Sequence, residues 1–163
     1  MSIQVNISFY ESLRVKEKHR FIQYERVIYQ EDGMGHLIQW DNEDQSVVLQ
    51  QYIGTAVKED LYGLATESAR MLNSVPHTVH LIIDERNIKM NLNSVDMQYL
   101  EKLVPVNQGG VVMVVSKNNL AYKKFLQNAG AKVAPKTFDQ PFFASNVEEA
   151  RQLLQSQFQV RYP

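Results

Sequence analysis

The sequence contains no cysteine. That removes disulfides, thiolate nucleophiles, iron–sulfur ligation and the thiolate class of zinc site together. It also lacks an excess of either charge: 17 Lys+Arg against 18 Asp+Glu leave a formal net charge of −1. Such a balance does not draw a chain to a nucleic-acid backbone, so no nucleic-acid partner is expected. No apolar run approaches the roughly 20 residues of a membrane span, and no membrane insertion is expected. Met1-Ser2-Ile3-Gln4 lacks the basic-then-apolar pattern of a secretory signal, so the expected location is cytoplasmic. What is present is ordinary globular material, 44% hydrophobic and 21% charged over 163 residues. That length suits one domain with a short appendage, and a core of this size needs no covalent staples.

From about residue 34 onward, strand and helix signals alternate. Residues 36–40 and 46–53 are rich in β-branched and aromatic side chains and flank the polar turn Asp41-Asn42-Glu43-Asp44-Gln45, a hairpin pattern. Gly54-Thr55 then opens a helix in which Val57, Leu61, Leu64, Ala65, Ser68, Met71 and Leu72 form one apolar face, and Pro76 follows its end. Val79-His80-Leu81-Ile82-Ile83, nearly continuous, and Val111-Val112-Met113-Val114-Val115 are short apolar runs, the mark of strands covered on both faces. Between them Asn93 caps a helix carrying Val95, Tyr99, Leu100, Leu103 and Val104. A third helix, from about Asn118, turns Ala121, Tyr122, Phe125, Leu126 and Ala129 inward and stops at a left-handed Gly130. Lys132-Val133-Ala134 is a candidate last strand. Ser145-Asn146-Val147-Glu148 reads as a capping box for a final helix with Val147, Ala150, Leu153, Leu154 and Phe158 inward.

The order β-β-α-β-α-β-α-(β)-α predicts an α/β fold, a mixed β-sheet with parallel crossovers and helices packed on it. Residues 34–160 form the domain. Residues 1–33 form an N-terminal extension, with one strand through Ile3, Val5, Ile7 and Phe9, another within residues 21–29, and a basic connection at 14–20 between them. A helical reading of residues 21–29 stays open. The extension is expected to add a strand at the sheet edge or to mediate homodimerisation.

Three stretches carry a resemblance: Gln51-Tyr52-Ile53-Gly54-Thr55; Leu81-Ile82-Ile83-Asp84-Glu85-Arg86-Asn87-Ile88; and the closing Phe142-Phe143-Ala144-Ser145-Asn146-Val147-Glu148-Glu149-Ala150-Arg151-Gln152-Leu153-Leu154. Over residues 35–158 their order and spacing resemble the STAS family (sulfate transporter and anti-sigma factor antagonist domains), closest to its SpoIIAA-like, or STAS/SEC14-like, bacterial branch. The resemblance implies a non-enzymatic signalling or scaffolding module that docks a protein partner after the first buried strand. The residues it points to are Asp84, Arg86, Asn87, Lys89, Asn93 and Ser94. In that family a serine at the start of the next helix is phosphorylated. The counterpart here is Asn91-Leu92-Asn93-Ser94-Val95-Asp96, which departs from the Asp-Ser-Ser/Thr-Gly setting: Asn93 stands where the acid would be, the glycine is missing, and Asp96 would repel a phosphate. Asn93 as cap with Ser94 an ordinary first-turn residue is the plainer reading, and a phosphoswitch at Ser94 is the alternative. The SEC14-like side of the resemblance implies a second role, a carrier or sensor for a small apolar ligand or lipid.

Other constellations fall short of chemistry. His77 and His80 stand three apart at the start of a strand, which puts the rings on opposite faces, and no metal site is expected. His19 and His36 are expected to be exposed. Asp84-Glu85-Arg86 reads either as an Asp84–Arg86 turn network or as an anion site helped by Lys89. Gly33-x-Gly35 and Gly109-Gly110 make no phosphate loop, and Ser46, Ser116 and Ser145 lack the setting of a nucleophile elbow. Glu43-Asp44 and Glu148-Glu149 read as caps and solubilising charge. Lys117, Lys123, Lys124 and Lys132 form a solvated basic strip. Trp40, Tyr52, Phe142 and Phe143 fill the core or, alternatively, line a pocket. No nucleophile, metal set or acid–base pair can be named, so no cofactor is implied and an enzyme is not expected.

Overall fold

A computed structural model of the chain describes residues 27–31, 34–86, 88, 91–139 and 141–162. The expected strand through Ile3 and Phe9, the basic connection at 14–20 and His19 lie outside the described residues. Six strands form one sheet, ordered as the chain makes them. β1 (Val27–Glu31), β2 (Met34–Trp40) and β3 (Val47–Ile53) pair antiparallel. β3, β4 (Val79–Asp84), β5 (Gln108–Val114) and β6 (Phe142–Ala144) pair parallel. The helices are α1 (Lys58–Asn73), α2 (Ser94–Leu103), α3 (Leu120–Gly130) and α4 (Val147–Phe158). The chain is therefore α/β with a mixed sheet, in the alternation its sequence predicts.

Alternation along the strands builds two cores. Ile38, Trp40, Val48, Tyr52, Val79 and Leu81 face α1, where Leu64, Met71 and Leu72 are buried. Val47, Leu49, Ile82, Val112 and Val114 face Ala150 and Leu154 of α4. Each such side chain contributes roughly 1.5–3 kcal/mol of transfer free energy when fully buried. This two-sided burial is why β4 reads as a nearly continuous apolar run. β1 adds an edge strand that begins inside the expected residue 21–29 segment, and Glu31 opposite Met34 closes its hairpin with β2.

Several expectations need correction. Lys132-Val133-Ala134 is a turn, and the last strand is Phe142–Ala144. Gly130 is not left-handed. A Cβ there would stand 2.6 Å from the Phe138 ring, so glycine is required by close approach. The true left-handed glycine is Gly54, φ 69°, at the bend from β3 towards α1. The cap of α4 lies one residue later than predicted. Asn146 Oδ1 accepts from Glu149 N at 2.9 Å, while Ser145 N donates to Glu149 Oε2 at 2.8 Å. Ser145 is displaced because Ala144 is still bound in the sheet, accepting from Val115 N at 3.0 Å.

The crossovers β3–α1–β4, β4–α2–β5 and β5–α3–β6 all step one strand in the same direction. Doubly wound sheets open a ligand crevice where the crossover direction reverses. Among the described strands, these parallel steps contain no such reversal. Any site at the strands' C-terminal ends must therefore be assembled from side chains on the rim.

Candidate functional site

The rim is built around the end of β4. Asp84 is buried and accepts from Arg86 Nε at 2.9 Å, from Arg86 Nη2 at 2.7 Å and from Gln51 Nε2 at 3.3 Å. Burial pushes the Asp84 carboxyl up, but the hydrogen bonds from Arg86 and Gln51 outweigh it and leave the group below its ordinary value. Arg86 is held charged by the same fork. The turn network is thus formed, and the guanidinium lies 40% exposed on the surface while spending two donors internally. Asn87 and Lys89 lie outside the described residues.

Asn93 and Ser94 are exposed at the start of α2. Asn93 Oδ1 accepts from Asp96 N and Asp96 Oδ2 accepts from Asn93 N, both at 2.9 Å, which closes a capping box. Lys58 Nζ donates to Asp96 at 2.7 Å, and the Tyr62 hydroxyl donates to its other oxygen. Lys58, then Tyr62 and the Asn93 backbone, hold the Asp96 carboxyl down at about 2, and Asp96 in turn pushes Tyr62 up to about 12. The positive end of α2 already carries a carboxylate, so a phosphate on Ser94 would meet an occupied helix terminus.

α3 is turned differently from its sequence pattern. Tyr122 is 39% and Phe125 67% exposed, whereas Lys123 is buried with its ammonium on the Glu85 carboxylate. The inward stripe runs through Lys123 and Gly130 because Glu85, just past β4, draws the lysine in and Gly130 seats Phe138. The basic strip is broken at Lys123. Likewise Val95 and Tyr99 of α2 are 70% and 43% exposed while Met97 and Leu100 are buried. Ile53, Val57, Val95 and Tyr122 therefore present apolar surface at the ends or beginnings of β3, α1, α2 and α3, around Arg86 and Ser94.

Two hollows remain. One is a cavity of about 150 Å³ between the sheet and helices α1 and α2, which Glu85 and Leu92 of the rim segment also line. Trp40, Tyr52, Phe142 and Phe143 do not line it. The first two belong to the α1-side core, and Phe142 packs against the α4 side. The other is an open cleft of about 340 Å³ at the opposite end, lined by His77, His80, Ser46 and Phe158 among others. His77 and His80 thus share a cleft. His77 precedes β4 and does not obey strand alternation. Among the described residues, no group of three or more His, Asp or Glu could hold a metal.

His36 and His80 are both buried, against the expectation of an exposed His36. The Gly110 N–H donates to His80 Nδ1 at 2.9 Å. Burial lowers both imidazole pKa values below 6.5, the nearby Asp60 only partly opposing this at His36. A depressed histidine binds its proton more readily unfolded, so its stabilisation is complete above pH 6.5 and is lost as pH falls through the lower folded value. Each contributes a slope of at most about 1.4 kcal/mol per pH unit in that window. Melting temperature is expected to fall between pH 7.5 and 5, and less steeply in a His36→Gln/His80→Gln variant. Parallel profiles for the two proteins would refute this assignment.

Among the described residues no helix is long and apolar enough to cross a membrane. The chain matches no protein-family model, no curated protein and no solved structure.

Proposed function

We propose that this chain is a non-enzymatic, STAS-like interaction module with a signalling or scaffolding role. It docks a protein partner through the loop between β4 and α2 and the first turn of α2. One observation carries the reading: Ile53, Val57, Val95 and Tyr122 stand exposed on one rim, interspersed with Arg86 and Ser94. Apolar side chains set among polar and charged ones form the usual composition of a docking patch, whereas scattered exposed residues need no explanation. Arg86 suits this use because its fork is fixed by Asp84, so little side-chain entropy remains to be lost on binding. The resemblance to STAS domains points to the same loop.

The test is quantitative binding to a partner captured on the immobilised chain. Val95→Asp and Arg86→Ala are each expected to weaken binding about 10- to 30-fold, as truncating interface anchors does. Val95 is exposed enough for the fold to survive, whereas Arg86→Ala leaves the buried Asp84 with Gln51, so circular dichroism and a thermal melt must show that variant folded before its affinity is compared. Unchanged affinity in both variants removes the rim from the interface.

A further inference from the structure

The 150 Å³ cavity is unusual in chemistry as well as in place. Its walls are apolar, from Leu72 on α1, Leu81 on β4, Leu100 on α2 and Phe138 beyond α3. Into this lining the chain sets Gln50, in the middle of β3 and only 5% exposed, and Glu85. Gln50 Nε2 donates to Ser68 Oγ at 2.6 Å, which leaves the amide oxygen as an acceptor. Glu85 accepts from Lys123, and a carboxylate has further acceptor sites to spare. Gln50 and Glu85 thus present acceptors, the Ser68 hydroxyl beside Gln50 keeps its proton, Gln108 and Thr137 complete the polar part of the lining, and the charge of Glu85 is already balanced.

We infer that this cavity is a binding site for a small neutral ring compound carrying one O–H or N–H donor, which the Gln50 amide oxygen accepts. The volume sets the size. An apolar cavity of about 150 Å³ holds a single benzene ring, and sites for drug-sized molecules begin near roughly 300 Å³, so a lipid chain does not fit. The charge state sets the class. An anion would face the Glu85 carboxylate with no lysine or arginine among the described lining residues, and a cation would compete with Lys123 for Glu85. A neutral donor satisfies the wall and fills the apolar space. The inference stands apart from the docking surface and is read on the isolated full-length chain.

Phenol, toluene and benzoate are the probes, followed by calorimetric titration and by thermal melts. Phenol and toluene are expected to bind and to raise the melting temperature, with phenol about fivefold tighter for its one hydrogen bond. Benzoate is expected not to bind. Ala65→Leu and Ala69→Leu, each projecting from α1 into the cavity, are expected to abolish toluene binding while melting at or above the parent temperature. Gln50→Met is expected to bring phenol down to the affinity of toluene. Absence of binding by both neutral probes overturns the site, as does undiminished binding in both filled variants. Equal affinity of phenol and toluene in the parent chain overturns the donor requirement.

Discussion

Methionine in place of Lys123 is expected to destabilise the chain by about 3–5 kcal/mol, the usual cost of leaving one member of a buried ion pair without its partner. The lysine is 7% exposed and the glutamate 9%, so neither charge has water to fall back on. Glu85→Gln is expected to cost a similar amount, since it strands the ammonium. The informative variant is Glu85→Leu/Lys123→Leu, expected within about 1 kcal/mol of the parent or above it, because removing both charges also removes both desolvation penalties. Urea denaturation with unchanged m-values would measure all three, and a Lys123→Met loss below 1 kcal/mol would contradict the buried pair.

The pair has a consequence beyond stability. Tyr122 and Phe125 are the residues that an amphipathic helix would ordinarily bury, and the Lys123–Glu85 contact holds α3 in the rotation that exposes them. The double leucine variant keeps an inward apolar side chain at position 123, so α3 is expected to hold this rotation and a rim partner's affinity to be retained. Loss of that affinity with stability intact would show that the charge pair, and not burial at position 123, orients the helix.

The same helix shows where sequence reasoning stops. β4 and β5 were legible because a strand covered on both faces is apolar at most positions, a signal that survives without knowledge of partners. α1 was legible because its stripe through Leu64, Ser68, Met71 and Leu72 obeys one period. α3 was not, since its inward residue is a lysine whose partner is 38 positions away and its best apolar stripe faces outward. His36 is hidden for the same kind of reason, buried against α1, where a Cβ on Gly63 would come within 3.2 Å of its ring. At the rim, the Asp84–Arg86 network was readable from two neighbouring residues. Glu85 between them was not, because its role depends on α3. The cavity had no sequence signature beyond a glutamine within an apolar strand.

Asp41 makes the second large prediction. It reads as a turn residue between β2 and β3, yet its side chain is 1% exposed. It accepts from Arg151 Nε at 3.0 Å and Nη2 at 2.7 Å on α4, and from the Tyr162 hydroxyl at 2.9 Å. Beside it Asn42 Nδ2 donates to the Arg161 carbonyl at 3.1 Å, so the turn grips the segment that follows α4 at two points. The Asp41 hydrogen bonds raise the pKa of Arg151, so this cation stays charged across the accessible pH range. Asp41→Ala leaves the guanidinium and the phenol without their acceptor, and is expected to cost roughly 2–4 kcal/mol, less than a fully buried pair because Arg151 is 34% exposed. Arg151→Met is expected to cost at least as much as Asp41→Ala, since it leaves the 1% exposed carboxylate with Tyr162 alone, whereas the guanidinium left by Asp41→Ala can reach water. A double-mutant cycle on Asp41 and Arg151 should return a coupling of at least about 1 kcal/mol. Hydrogen exchange should show the loss concentrated in α4, whose Ala150 and Leu154 pack against β4 and β5. Equal protection across the sheet and α4 in Asp41→Ala would mean that the turn does not hold the helix in place.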